Sequence, residues 1–169
     1  MFAEAVSPEA VFVALHEVGN PGNLGTIIRT ADAAGAGGVV LVGACADPLD
    51  PAAVKASMGA LFSVPVAAVA TAGEFLDWCL AGGVAIAVTS ARGGESLWAA
   101  PLPRPVAFLL GSEGPGLPDD LLSAGDVRLS IPMTGTAESL NLAVAAGVLL
   151  YEARRRAETH QGRINSCNG

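Results

Sequence analysis

The stretch of sequence that decides the fold runs from residue 108 to residue 118 and reads Phe108-Leu109-Leu110-Gly111-Ser112-Glu113-Gly114-Pro115-Gly116-Leu117-Pro118. An apolar segment typical of a buried strand passes directly into a loop with three glycines, two prolines and one carboxylate. Glycines let the backbone approach a ligand without a Cβ atom in the way, and prolines hold the bend rigid. This pattern indicates a binding loop, although a plain glycine-rich turn after a strand has the same composition.

Six short apolar runs, rich in valine and bounded by glycine or proline, predict buried strands. They are continuous rather than alternating, as expected for strands that are covered on both faces. Helical patterns lie between most of them, so the sequence predicts an α/β domain: a mainly parallel, six-stranded sheet with helices on both faces. The runs cover residues 11–15, 39–42, 64–68, 84–88, 106–110 and 127–131.

The first predicted helix has Asn23 as its N-cap and ends at Gly35. Arg29 falls off its apolar stripe, and we expect it to point towards a cleft at the carboxyl end of the first strand. The last predicted helix runs from Glu138 to about Arg156. Its expected buried side consists of Leu140, Val144, Gly147, Val148 and Tyr151.

The sequence becomes polar and aperiodic after residue 157, which predicts one domain over residues 1–157 and a flexible tail over residues 158–169. No run of 18 apolar residues and no secretory signal is visible in the sequence, so we expect no membrane span and a cytoplasmic location. Cys45, Cys79 and Cys167 lack the CxxC spacing of a zinc or redox site, and with two histidines we expect no metal.

The chain is acidic, with 9 Lys and Arg residues against 16 Asp and Glu residues and a formal net charge of −7. Proteins that bind a phosphate backbone usually present a basic face, so the chain alone is expected to hold RNA poorly. The run from Arg154 to Arg156 is the one local candidate for a phosphate contact in the sequence. The alternative is a solvated helix end whose cations suit the C-terminal pole of the helix dipole.

Residues 20–32 and 131–142 strengthen the interpretation of the glycine loop. They read Asn20-Pro21-Gly22-Asn23-Leu24-Gly25-Thr26-Ile27-Ile28-Arg29-Thr30-Ala31-Asp32 and Ile131-Pro132-Met133-Thr134-Gly135-Thr136-Ala137-Glu138-Ser139-Leu140-Asn141-Leu142. In order with the glycine loop, they resemble the three signature motifs of the SpoU or TrmH branch of the SPOUT methyltransferases. The resemblance runs from about Val11 to about Arg155.

This resemblance implies an enzyme that transfers a methyl group from S-adenosylmethionine to a ribose 2′-hydroxyl of RNA, with rRNA favoured. It also implies a C-terminal deep trefoil knot and a homodimer that packs partly through the C-terminal helix and completes the site across the interface. The alternatives are a tRNA ribose methyltransferase and a non-catalytic cofactor-binding or dimerisation module. Family members often carry an N-terminal RNA-recognition domain, so we expect either a catalytic fragment of a longer protein or a minimal enzyme that relies on its dimer.

Motif position assigns the catalytic set to Asn23, Arg29, Glu113, Ser139 and Asn141. The resemblance gives Arg29 the activation of the 2′-hydroxyl; because a guanidinium stays protonated, orienting that hydroxyl or a neighbouring phosphate is the alternative role. We expect Glu113 and Asn23 to fix Arg29 by charge-assisted hydrogen bonds, and Ser139 with Asn141 to hold the loop and the acceptor sugar.

Each of these residues also has an ordinary structural interpretation. Asn23 and Ser139 suit helix caps, Glu113 an exposed turn, and Asn141 a satisfied polar group. The same resemblance assigns the cofactor pocket to Thr89, Ser90, Leu110, Gly111, Glu113, Gly116, Ile131, Pro132, Met133, Ser139 and Leu140.

Overall fold

The computed structural model of the protein describes residues 6–90 and 93–166, with side chains up to residue 159. Strands and helices alternate along this part of the chain, and a short 3-10 turn at Ala60–Phe62 follows the second helix. The elements are β1 Val11–His16, α1 Pro21–Ala34, β2 Gly38–Val42, α2 Pro51–Ser57, β3 Val66–Val69, α3 Ala72–Gly82, β4 Ala85–Thr89, β5 Glu95–Ser96, β6 Val106–Gly111, α4 Asp119–Ala124, β7 Val127–Ser130 and α5 Leu142–Ser166.

The strands form one parallel sheet in the order β3-β2-β1-β6-β4-β7-β5. The central pair is β1 and β6, in register from Val11 opposite Val106 to His16 opposite Gly111. Because all the strands are parallel, the loops after β1, β4, β6 and β7 meet at one edge of the sheet, where ligands of open α/β sheets bind. The α/β class with a parallel sheet is confirmed.

The predicted strand count is wrong by one. The additional strand, β5, has two residues and pairs with the end of β7 at the edge of the sheet, Glu95 opposite Leu129 and Ser96 opposite Ser130. An edge strand that is this short and polar has no apolar run from which to predict it.

Helices cover both faces of the sheet. On one face, Leu15 and Phe108 pack in a core with Leu24 of α1 and Leu149 of α5. On the other face, Leu109 packs with Phe75 of α3 and Leu121 of α4 in a second core. Strand side chains therefore alternate between two buried surfaces, which explains why the strands appear as continuous apolar runs.

The start of α1 differs from the prediction. Asn20, and not Asn23, is the N-cap: its side-chain oxygen accepts a hydrogen bond from the backbone nitrogen of Asn23 at 3.0 Å, and Pro21 follows it directly. Gly35 ends the helix in a left-handed conformation, with φ of 70°. The shift leaves the side chain of Asn23 free for other contacts.

The last helix also differs from its prediction in start, phase and end. It begins at Leu142, after Asn141 Oδ1 accepts hydrogen bonds from the backbone nitrogens of Ala143 (2.9 Å) and Val144 (3.3 Å), so residues 138–141 are a loop. Its backbone remains helical to Ser166, where an irregular tail was expected. The buried side is Leu142, Ala143, Ala146, Leu149, Leu150 and Ala153.

The side of α5 that was predicted to be buried is buried only in part, since Gly147 and Val148 are half-buried and Val148 packs against the core. Val144 is 52% exposed and Tyr151 is 51% exposed. Val144 and Tyr151 therefore form an exposed, partly apolar strip along the outer side of the helix. Within the described residues, no helix combines the length and apolarity that a membrane crossing requires.

Candidate functional site

A cavity of about 530 Å³ opens at the carboxyl edge of the sheet. Its walls are the glycine loop (residues 110–117), the ends of β4 and β7, the loop over residues 131–140, and the first two turns of α5. Its volume lies within the range of about 300–1,000 Å³ that is typical of small-molecule sites. The cavity therefore has the size and position of a cofactor site.

Ten of the eleven residues predicted for the cofactor pocket line this cavity, and the exception is Pro132. Among them, the Thr89 hydroxyl donates a hydrogen bond to the Leu109 carbonyl at 3.2 Å, and the Ser90 backbone nitrogen donates to the Leu129 carbonyl at 3.0 Å. Both residues are thereby fixed to the sheet. The ten lining residues are Thr89, Ser90, Leu110, Gly111, Glu113, Gly116, Ile131, Met133, Ser139 and Leu140.

The glycine loop turns back on itself at the end of β6. A Cβ atom on Gly111 would lie 2.2 Å from the carbonyl carbon of Gly116 and 2.4 Å from the nitrogen of Leu117, so no larger residue fits there. The turn is closed by a hydrogen bond of 3.1 Å from the Gly116 nitrogen to the Ser112 carbonyl. Backbone packed this tightly gives one cavity wall a fixed shape.

A chain of side-chain hydrogen bonds joins the three motif segments. Asn23 Nδ2 donates to Glu113 Oε1, and Asn141 Nδ2 donates to Asn23 Oδ1 at 3.2 Å. Asn141 Oδ1 in turn accepts the backbone hydrogens at the start of α5. We call Glu113, Asn23 and Asn141 the polar network. Segments that are far apart in the sequence thus meet at one place.

The direction of this polar network is fixed at both ends. An ionised carboxylate only accepts hydrogen bonds, so Asn23 presents its NH₂ group to Glu113 and its oxygen to Asn141. The backbone N–H groups of α5 only donate, so Asn141 presents its oxygen to them and its NH₂ group to Asn23. Glu113 lines the cavity, whereas Asn23 and Asn141 support it from outside the lining.

Ser139 lines the cavity on the loop that precedes α5, three residues before the helix begins, and it is not the cap of that helix. The structure therefore brings four of the five predicted catalytic residues to the cavity or its support: Asn23, Glu113, Ser139 and Asn141. Their roles in catalysis remain predictions.

Arg29 is the exception. It is exposed on α1, does not line the cavity, and forms no hydrogen bond or ion pair with the residues that the structure describes. The predicted contacts of Arg29 with Glu113 and Asn23 are absent from the described chain, and Glu113 accepts a hydrogen bond from Asn23 instead. Arg29 follows Asn23 by six residues, which places it about 120° away around the helix.

The sequence did not point to Glu138 or to the apolar part of the cavity wall. Aliphatic residues on helices and strands are usually core residues, so residue type alone does not identify an aliphatic side chain that faces a ligand. Proximity to the motifs was the one signal in the sequence, because most of the additional lining residues stand next to a motif segment. The additional lining residues are Leu122, Leu129, Glu138, Leu142, Ala145 and Leu149.

Comparison with known proteins agrees with this geometry. The model of the SpoU rRNA Methylase family matches residues 10–151. The chain therefore belongs to the SpoU rRNA methylase family.

One relative is the 23S rRNA (uridine(2479)-2′-O)-methyltransferase of Streptomyces viridochromogenes, which is 42% identical over 142 residues covering 81% of this chain and 50% of that protein. Another, the 23S rRNA (guanosine(2553)-2′-O)-methyltransferase RlmP of Bacillus subtilis, is 39% identical over 137 residues, covering 81% of this chain and 55% of that protein. The chain thus spans about half the length of these relatives.

Solved structures share the fold. The SpoU methyltransferase AviRb from Streptomyces viridochromogenes, in complex with the cofactor AdoMet, superimposes with a TM-score of 0.86 at 37% identity over 91% of this chain and 63% of that one. A structure described for the 2-OH methylation of C/U34 on tRNA gives a TM-score of 0.83 at 32% identity, over 90% of this chain and 99% of that one.

Proposed function

We propose that the protein is a methyltransferase that transfers a methyl group from S-adenosylmethionine to a ribose 2′-hydroxyl of RNA, with rRNA as the first candidate substrate. The observation that carries the proposal is the polar network, because it joins all three motif segments at the wall of one cavity. The rRNA assignment is supported by the 2′-O-methyltransferase relatives.

The cavity fits such a cofactor. Leu110, Leu117, Ile131 and Leu149 offer apolar walls for an adenine ring, and the glycine loop brings main-chain groups to the same wall. S-adenosylmethionine, when bound, supplies a methyl group activated on a positively charged sulfur. The AdoMet complex of AviRb supports this choice of cofactor.

The residues of the chain act by positioning, because methyl transfer mainly requires an acceptor oxygen held in line with the donor. Glu113 is fixed by Asn23, so its carboxylate has a defined place at the cavity wall. Ser139 offers a hydroxyl from the loop that precedes α5. Arg29, which stays protonated, suits the orientation of a phosphate or of the acceptor hydroxyl.

We propose that the protein acts as a homodimer, because Arg29 is exposed and does not line the cavity of its own chain. The outer face of α5 exposes Val144 and Tyr151. Helix α1, which carries Arg29, packs beside α5, and a Cβ atom on Gly147 would lie 3.5 Å from the Thr30 methyl group. Pairing of these outer faces covers the apolar residues and brings Arg29 to the interface. A C-terminal trefoil knot is also part of the proposal, supported by family membership.

A tRNA substrate is the second candidate. The structure described for tRNA C/U34 methylation is covered by this chain over 99% of its length, whereas AviRb is covered over 63%. A ribose methyltransferase of the size of this domain therefore has a tRNA-acting counterpart.

Two measurements test the proposed function. Calorimetry with S-adenosylhomocysteine is expected to give one binding event per chain; absence of binding to the folded protein would overturn the assignment. Transfer of labelled methyl groups to rRNA, ribosomal subunits and tRNA, followed by mapping of the alkali-resistant linkage, identifies the substrate. We expect Arg29→Ala to bind S-adenosylhomocysteine normally and to lose transfer, whereas full transfer by this variant would favour a non-catalytic role for Arg29.

A further inference from the structure

The arginine run near the end of the chain is bound within the protein. Arg154 donates a hydrogen bond to the Ala33 carbonyl at 3.3 Å, and Arg156 donates to the Ala100 carbonyl at 2.6 Å and to the Leu97 carbonyl. Two of the three arginines therefore hold main-chain groups of other segments. This arrangement differs from the free phosphate contact that the sequence suggested.

Glu152 holds Arg156 in place. Its carboxylate accepts hydrogen bonds from Arg156 Nε at 2.7 Å and from Arg155 Nε and Nη2 at 2.8 and 2.9 Å. The Glu152 side chain is 7% exposed and that of Arg156 is 24% exposed, whereas Arg155 is 63% exposed. Hydrogen bonds from Arg155 and Arg156 lower the pKa of Glu152 to about 2 against the opposing effect of burial, so the carboxylate is ionised.

Glu152 and Arg156 lie on the same side of α5 as the residues that line the cavity. Ala145 and Leu149 line the cavity, and Glu152 and Arg156 follow at spacings of three and four residues. Residues at these spacings lie along one side of a helix. The side of α5 that forms a cavity wall therefore ends in the carboxylate and guanidinium pair.

The carbonyl groups that Arg156 contacts belong to a segment that is hydrogen-bonded to the β7 wall of the cavity. Leu97 and Ala100 are fully buried, so water does not replace a lost hydrogen bond there. The Leu97 nitrogen donates to the Ser130 carbonyl at 2.8 Å, and Ser130 lies between the two lining residues Leu129 and Ile131. Arg156 thus connects the α5 wall to the β7 wall through one intermediate segment.

We propose that Arg156, held by Glu152, is a positioning residue that sets the separation of the α5 and β7 walls and thereby the affinity for the cofactor. The inference rests on the proposed use of this cavity for S-adenosylmethionine. Arg156 does not touch the cavity, so it acts through Leu97 and Ser130. The planar guanidinium of Arg156 donates to two neighbouring carbonyl groups at once. A lysine, which has a single ammonium group, reproduces these hydrogen bonds only in part.

The test compares Arg156→Ala with Arg155→Ala, a matched control in which the removed guanidinium binds the same Glu152 but, among the described residues, no other segment. Affinity for S-adenosylhomocysteine is measured by calorimetry well below the unfolding temperature of each variant. We expect a loss of at least about tenfold for Arg156→Ala and less than about twofold for Arg155→Ala. Arg156→Lys should recover part of the loss, and it serves as the test if Arg156→Ala does not fold.

A second control separates positioning from general destabilisation. Phe75→Leu lies in the core on the other face of the sheet, and a lowered melting temperature without weakened binding is expected for it. Affinities of the Arg156 variants equal to that of Arg155→Ala would overturn the inference, as would a Phe75→Leu protein that loses affinity in proportion to its melting temperature. Absence of binding to the wild-type protein would instead overturn the proposed function.

Discussion

Asn141 donates a hydrogen bond from its amide nitrogen to the side-chain oxygen of Asn23 over 3.2 Å, although 118 residues separate them in the sequence. The amide nitrogen of Asn23 donates in turn to Glu113. The amide oxygen of Asn141 accepts a hydrogen bond from a backbone N–H group in the first turn of α5. One amide in the first helix therefore decides how the carboxylate at the cavity wall is held. We therefore expect the hydrogen-bond donor of Asn23 to matter more for methyl transfer than the size of its side chain.

The first prediction concerns that amide. Asn23→Asp replaces the donor to Glu113 with a second carboxylate, so the two groups repel and the network opens. We expect methyl transfer to fall by at least about tenfold with little change in melting temperature, because Asn23 is only half-buried. Asn20→Asp is the matched control, since aspartate caps a helix as well as asparagine does and this position does not contact Glu113. Full activity of Asn23→Asp would contradict a role for the network.

A second prediction concerns the tight turn of the glycine loop. Gly111→Ala introduces a Cβ atom 2.2 Å from the backbone of Gly116, so the loop must open. We expect a loss of roughly 1–3 kcal/mol in the free energy of unfolding, together with loss of S-adenosylhomocysteine binding. Denaturant titration and calorimetry measure the two effects.

Gly135 provides the control for this substitution. It lies in the loop that forms the other side of the cavity, and a Cβ atom there meets nothing within 4 Å. We expect Gly135→Ala to keep both stability and binding. Equal behaviour of the two variants would show that the close approach at Gly111 is unimportant.

A third prediction concerns pH and Glu152. Hydrogen bonds from Arg155 and Arg156 lower its pKa from an ordinary value of 4.5 to about 2 in the folded protein. A lowered carboxylate pKa stabilises the fold above the unfolded value and loses this effect as the pH falls from about 4.5 towards 2. Because the largest of these hydrogen bonds comes from the mostly exposed Arg155 and is screened by solvent, the contribution at neutral pH is about 1–2 kcal/mol, below the roughly 3 kcal/mol that the full shift would give.

Chemical denaturation of the wild type and of Glu152→Gln over a range of pH measures this contribution. The difference in unfolding free energy should be largest at neutral pH and should shrink as the solution is acidified below pH 4.5. Glu158→Gln, which removes an exposed ion pair with Arg154, should change stability by less than about 1 kcal/mol. A difference for Glu152→Gln that is independent of pH would refute the assignment.

The fourth prediction concerns the outer face of α5. Tyr151→Asp puts a charge into the proposed dimer interface, and we expect the protein to become monomeric and to lose methyl transfer. Leu80→Asp is the comparison, since Leu80 is more exposed, at 84%, but belongs to α3 on the other face of the sheet. Light scattering after gel filtration gives the assembly state. A Tyr151→Asp dimer with full activity would argue against this interface.

The fold was largely predictable because its strands are buried on both sides. The runs at 11–15 and 106–110 have no polar residue, and short apolar runs rich in valine are typical of a parallel sheet that is covered on both faces. Helix ends were less predictable. Asn20 and Asn23 are equally good caps by type, and the proline after Asn20 is the feature that distinguishes them in the structure.

The phase of α5 was mispredicted for a related reason. Leu140 and Leu142 are both apolar, and a stripe that is counted from Leu140 leads to Val144 and Tyr151, whereas one counted from Leu142 leads to the residues that are buried. In the candidate site, Glu113 and Ser139 could be predicted because they belong to recognisable motif segments. Leu129 and Leu149 carried none, because a ligand-facing leucine and a core leucine are the same in sequence and differ only in what the fold leaves beside them.

The walls of the cavity are contributed by residues as early as Thr89 and as late as Leu149, and the network behind them reaches back to Asn23. No partial chain that emerges during synthesis, and no proteolytic piece that lacks the last helix, contains the complete receptor. Binding of the proposed cofactor therefore requires α5 to be in place, and labelled S-adenosylhomocysteine added to nascent chains would report when α5 packs against the sheet.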